Sequence, residues 1–187
     1  KYSYKVEVEK GQPEFIYVFY KDMKVASLLL EAGDQVSVES DTLGNFSVEG
    51  SDESLKLAQV EKDYADALIR LSDLSSQVLA ASGDEATALR RQVGQEYVAY
   101  YRDRVKYIME NSRSLTVVPV MFQNFGADLP VFGQATDAIH FMNISDSLEM
   151  VYPDSRYVKA LRAEAKKRQN YMELESRLNS AEAVGYP

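Results

Sequence analysis

The chain contains no cysteine and no tryptophan, and it has a single histidine. Without a thiol it can form no disulfide, run no thiolate chemistry and hold no cysteine-ligated zinc within these residues. His140 sits between Ile139 and Phe141 with no second histidine four residues away. Metal ligation would therefore rest on carboxylates around one imidazole, and a structural or solvated histidine is the preferred reading. No apolar run approaches the roughly 20 residues that cross a bilayer, so no transmembrane segment is expected. Positive charge is in deficit, with 21 Lys and Arg against 29 Asp and Glu and a net charge of -8, which repels phosphate backbones and speaks against nucleic acid as a partner. Glycines 44, 50 and 83 lack the spacing of a phosphate loop, and no Gly-x-Ser-x-Gly elbow occurs. The first residue is Lys1, with neither an initiator methionine nor an apolar export segment ahead of it, as in a processed or trimmed protein.

What is abundant is tyrosine, 13 residues in a chain of 187 whose 45% hydrophobic and 27% charged content is ordinary for a globular protein. Tyrosine serves cores and interfaces alike, so the excess suggests a binding surface. The first 50 residues carry a period-2 signal. "YSYKVEV" alternates Tyr2, Tyr4, Val6 and Val8 with polar residues. "FIYVFY" (15–20) is aromatic and β-branched throughout, the composition of a strand covered on both faces. "KVASLLL", "QVSVES" and "FSVEG" complete about five antiparallel strands, separated by turns at Gly11-Gln12-Pro13, Gly33-Asp34 and Leu43-Gly44-Asn45.

From Ser51 the period changes. Ser51-Asp52-Glu53 has the makings of a helix cap, and Leu57, Val60, Tyr64, Ala67, Leu71, Leu74 and Val78 recur at spacings of three and four. After Ser82-Gly83 a matching stripe runs through Leu89, Val93, Tyr97, Tyr100 or Tyr101, Val105 and Ile108, which predicts an αα-hairpin over 53–110. Shorter helices are predicted near 115–125 and 135–150. A last one starts at Pro153-Asp154-Ser155 and runs to about 179, with Val158, Leu161, Ala165, Met172 and Leu178 on its buried side. The fold class is α+β: an antiparallel β unit (1–50), a helical region packed on it (51–180) and a tail (181–187).

No catalytic, cofactor-binding or metal-binding residue emerges from this pattern. Glu61, Asp63, Asp66 and Asp73 could be imagined as paired carboxylates for a cysteine-independent hydrolase, but they lie off the apolar seam and suit a solvated helix face. Arg162, Lys166, Lys167 and Arg168, with Glu164 and Glu173 nearby, read as a mixed-charge surface before they read as a patch for an acidic partner.

The stretch "SLLLEAGDQVSVESDTLGNFSVEGSDESLKLAQVEKDY" resembles the domain of unknown function that precedes the thioredoxin-like domain in envelope thiol-disulfide oxidoreductases of some Gram-negative bacteria. So do "YIMENSRSLTVVPVMFQNF" and "FMNISDSLEMVYPDSRYVKALRAE". In that family a tail like Gly185-Tyr186-Pro187 leads into the domain that holds the Cys-x-x-Cys pair. The resemblance implies a non-catalytic N-terminal module in the periplasm or outer envelope of an exported, lipid-anchored protein, whose work is to position the redox domain or contact its substrate proteins. Asp41-Thr42-Leu43 and Asp146-Ser147-Leu148 resemble O-glycan acceptor sites of the same envelope, making Thr42 and Ser147 candidates for modification. The alternative is a stand-alone envelope module that binds a peptide or glycan. Either way Tyr2, Tyr4, Tyr17 and Tyr20 are the candidate interface, and pairing into a homodimer through Tyr2 to Tyr20 is expected if nothing else covers the sheet.

Overall fold

A computed structural model describes residues 1–185, which form two compact units, one from Lys1 to Val105 and one from Lys106 onward. The elements follow in the order β1 (Glu14–Tyr20), β2 (Met23–Leu30), β3 (Ser37–Ser40), β4 (Phe46–Glu49), α1 (Asp52–Ala80), α2 (Gly83–Glu110), α3 (Val117–Met121), α4 (Ala138–Glu149) and α5 (Arg156–Ala183), with a 3-10 turn at Ala135–Asp137. The protein is mixed α+β.

Four strands form among the described residues, not about five, and they make two separate two-stranded antiparallel sheets. The predicted strand over Tyr2–Val8 is absent, and Tyr2 and Tyr4 are 89% and 83% exposed. The turn that follows gives a physical reason. Gln12 N–H donates to the Glu9 carbonyl at 3.0 Å with Gly11 at φ 78°, while Lys10 is not among the positive-φ residues. A negative φ followed by a positive one is the type II pattern, whose twist splays flanking strands instead of pairing them.

In the first unit β2 is the covered strand. Val25 through Leu29 are all buried, because β1 pairs along one edge and α1 packs against it. Two serines at the start of α1 close the other edge at Leu29. Leu29 N–H donates to Ser54 Oγ at 3.0 Å, and Leu29 carbonyl accepts from Ser54 Oγ at 3.0 Å and Ser51 Oγ at 3.2 Å. Ser51 Oγ also accepts from Ser54 N–H at 3.1 Å, so one hydroxyl caps the helix and ties it to the strand. Along α1 the seam buries Leu57, Val60, Ala67 and Leu71, and it opens to half-buried Leu74 and Val78. Ion pairs join Asp63 to Arg104 (3.3 Å) and Arg70 to Glu96 (3.2 Å).

In the second unit α4 buries Ala138, Phe141, Ile144 and Leu148, which recur at three and four, against Val158, Leu161 and Ala165 of α5. Val117, Val118, Val120 and Met121 of α3 are buried too. The buried stripe of α5 ends early: Met172 is half-buried, but Leu178, expected on the same side, is exposed. Leu178 lies six residues beyond Met172, about 120° away from it around the helix at 100° per residue, so the two cannot share a narrow face. Tyr186 and Pro187 of the predicted tail lie outside the described residues.

Candidate functional site

Tyr17 and Tyr20 lie on β1, which turns into β2 through Lys21 and Asp22, with Lys21 at φ 54°. The ladder shifts register between Val18 and Phe19, where β1 pairs Val18 with Ala26 but Phe19 with Lys24. Such a bulge bends and twists the strand end. The aromatic run is not covered on both faces as its composition suggests. Phe15 is buried, whereas Tyr17, Phe19 and Tyr20 are 51%, 60% and 63% exposed. The reason is the sheet's size: two strands and one helix cover the base of the hairpin and leave its tip in solvent. Lys24 Nζ lies 5.7 Å from the Tyr17 ring centroid and 3.1 Å from Glu61 Oε1, and Lys21 Nζ lies 5.6 Å from the Tyr20 ring. The tip is thus an aromatic surface flanked by cations, suited to stacking and apolar contact. Tyr2 and Tyr4 are not joined to it by any strand.

A second polar centre went unnoticed in the sequence. Arg104 of α2 is buried, its Nη2 2.5 Å from Asp103 Oδ2 and 3.3 Å from Asp63 Oδ2, with its guanidinium 5.2 Å from the Tyr100 ring centroid. Burial pulls the Arg104 pKa down, but the Asp103 hydrogen bond, Tyr100 and the charges of Asp103 and Asp63 outweigh it, and the net direction is up. Burial likewise pushes Tyr100 well above its ordinary value, against the opposing pull of Arg104. Asp63, assigned to a solvated face, is therefore a partner of this arginine. The available signal was an arginine four residues after Tyr100 and four before Ile108, within the apolar stripe of α2.

The third cluster belongs to the second unit. The Phe141 ring meets those of Phe122 at 5.9 Å and Phe132 at 6.5 Å, both edge-on, and the guanidinium of Arg168 lies 4.0 Å from its centroid. Arg168 also donates to Glu164 at 2.8 Å and to the Phe132 carbonyl. His140 faces the edge of Phe132 at 6.1 Å, and no group of three or more His, Asp or Glu side chains able to hold a metal occurs among the described residues. The predicted basic cluster is divided. Arg162 pairs with Asp146 and Glu149, both at 2.7 Å, Arg168 turns onto Phe141, and Lys166 and Lys167 remain exposed. Burial lowers the Arg162 pKa, but the two carboxylates outweigh it and raise it overall.

Thr42 is exposed in the β3–β4 turn. Asp41 folds that turn by accepting from Asn45 Nδ2 (2.7 Å), Leu43 N–H (2.8 Å) and Asn45 N–H (2.9 Å), and the Asn45 side chain is the main cause of its lowered pKa. Ser147 is half-buried on α4, next to an Asp146 already engaged by Arg162. The surface also carries shallow grooves, among them one of about 320 Å³ where Ser75, Val78 and Leu79 meet Arg90 and Val93 and one of about 480 Å³ between the 3-10 turn and the end of α5. No tyrosine lines either one.

No helix among the described residues is long and apolar enough to cross a membrane. No protein-family model, curated protein or solved structure matches the chain. Fold and surface together define a mixed α+β chain that exposes an aromatic β-hairpin tip.

Proposed function

We propose that this chain is the non-catalytic N-terminal module of a thioredoxin-like envelope thiol-disulfide oxidoreductase, and that it positions the redox domain or contacts its substrates. The observation that carries the reading is the exposed tip at Tyr17, Phe19 and Tyr20, apolar area of the kind that marks protein contacts. The absence of cysteine accords with a module whose redox chemistry is supplied elsewhere on the polypeptide. A periplasmic or outer-envelope location, an exported precursor and the long αα-hairpin belong to the same reading and rest on the resemblance and the helical spacing. The alternative, a stand-alone envelope module for a peptide or glycan, draws on the same Tyr17–Lys24 and Tyr20–Lys21 pairs, since a ring beside a cation suits a sugar face or an acidic peptide.

Oxidative footprinting tests the surface. In the product of the complete reading frame, Tyr17, Phe19 and Tyr20 should label more slowly than in the chain of residues 1–187 alone, while exposed Met150 labels equally in both. Equal labelling of the tip in the two proteins would remove it as the contact with the redox domain.

A further inference from the structure

The second half of α5 carries an apolar row that its own unit does not use. Tyr171, Leu174, Leu178 and Ala181 recur at spacings of three, four and three, the a/d pattern of a coiled-coil seam. The three large side chains are 65%, 55% and 57% exposed, and Ala181 is exposed as well. This row is distinct from the buried row of Val158, Leu161, Ala165 and Met172. At 100° per residue the two point about 150° apart, so while the first half of α5 packs inward, the second half presents nearly the opposite face.

With Tyr171 and Leu178 at a and Leu174 and Ala181 at d, the flanking positions are Asn170 and Arg177 at g, and Glu175 and Glu182 at e. In a parallel pair of identical helices, each g residue faces the e residue five positions on in its partner. Arg177 then meets Glu182 of the other copy, and by symmetry the contact occurs twice. The antiparallel arrangement that opposes Leu174 to Leu178 would bring Glu175 to Glu175 and Arg177 to Arg177. Charge therefore selects one occupant and one direction. We propose that a second copy of this chain pairs with the first through α5, in parallel, along Tyr171, Leu174, Leu178 and Ala181. This surface is separate from the β1–β2 tip and does not depend on the function proposed above.

A seam of two heptads is short, and a dissociation constant on the order of 100 µM is expected. Sedimentation equilibrium of the chain from about 10 µM to 1 mM should show a monomer–dimer equilibrium. Leu178→Glu should weaken it by at least about tenfold, whereas Tyr20→Glu should leave it unchanged. Both positions are exposed, and circular dichroism checks that the helices persist. Because the chain has no cysteine, direction can be read by cross-linking. On mild oxidation Ala181→Cys should form a disulfide-linked dimer, and the second change Leu178→Glu should suppress it. A monomer throughout the range, or a dimer lost with Tyr20→Glu but kept with Leu178→Glu, would overturn the proposal. Cross-linking that requires a mixture of Tyr171→Cys and Ala181→Cys chains would overturn its direction.

Discussion

Replacing Phe141 by alanine should cost the second unit about 3–5 kcal/mol, the range for removing a buried aromatic ring. Phe141 is fully buried on α4 and is the meeting point of Phe122, Phe132 and the Arg168 guanidinium. Its loss removes the edge-on contacts of two rings and takes away the apolar plane on which a part-buried cation rests. Against a total stability of about 5–15 kcal/mol for a domain, this is a large fraction. Thermal unfolding by circular dichroism should show a drop of well over about 10 °C in the transition of this unit, at roughly 4–8 °C per kcal/mol for its size. Phe141→Leu, which keeps most of the volume, should lose much less. Equal melting of Phe141→Ala and the parent would mean that the cluster is not part of the folding core.

A comparable loss is expected at Gly50, for a backbone reason. Gly50 follows β4 at φ 97°, and a Cβ built there would stand 2.2 Å from the Gln35 carbonyl oxygen and 3.2 Å from its carbon. Those are backbone atoms that no rotamer change can move aside. Gly44, in the turn between β3 and β4, has a similar φ of 89° but nothing within 4 Å of the same point. Gly44→Ala therefore measures the left-handed penalty alone, about 1–2 kcal/mol. Gly50→Ala adds the overlap and should cost at least about 2 kcal/mol more, since overpacking against fixed atoms typically costs about 1–3 kcal/mol. Urea unfolding of the two variants checks the difference, and equal midpoints would refute the steric account.

The helices were legible in the sequence because their signals are local. Ser51 caps α1 as its position suggests, and Leu57, Val60, Ala67 and Leu71 are buried as their spacing requires. The helix predicted over 135–150 holds α4, with Ala138, Phe141, Ile144 and Leu148 buried, while the one predicted over 115–125 shortens to Val117–Met121. The β region was less legible because a strand is completed by its neighbour. "YSYKVEV" has the alternation of a strand and no partner, while "FIYVFY" has the composition of a covered strand in a sheet too narrow to cover it. Tyr17 and Tyr20 could be named from sequence as surface candidates, but Phe19 between them could not, because its exposure follows from a two-stranded sheet too small to cover it. The two arginine centres, one buried and one part-buried, were missed for a related reason. The sequence shows Arg104 and Arg168 as charges among other charges, and only the tertiary arrangement sets one between Asp63 and Asp103 and lays the other on Phe141.

The most direct measurement of the proposed identity is the coding sequence beyond Pro187. A reading frame that continues into a thioredoxin-like domain, with a Cys-x-x-Cys pair some tens of residues downstream, is the expected result and would supply the thiols this chain lacks. A stop codon immediately after Pro187, or a continuation without such a pair, would contradict the redox assignment and leave the aromatic hairpin to a stand-alone binding protein.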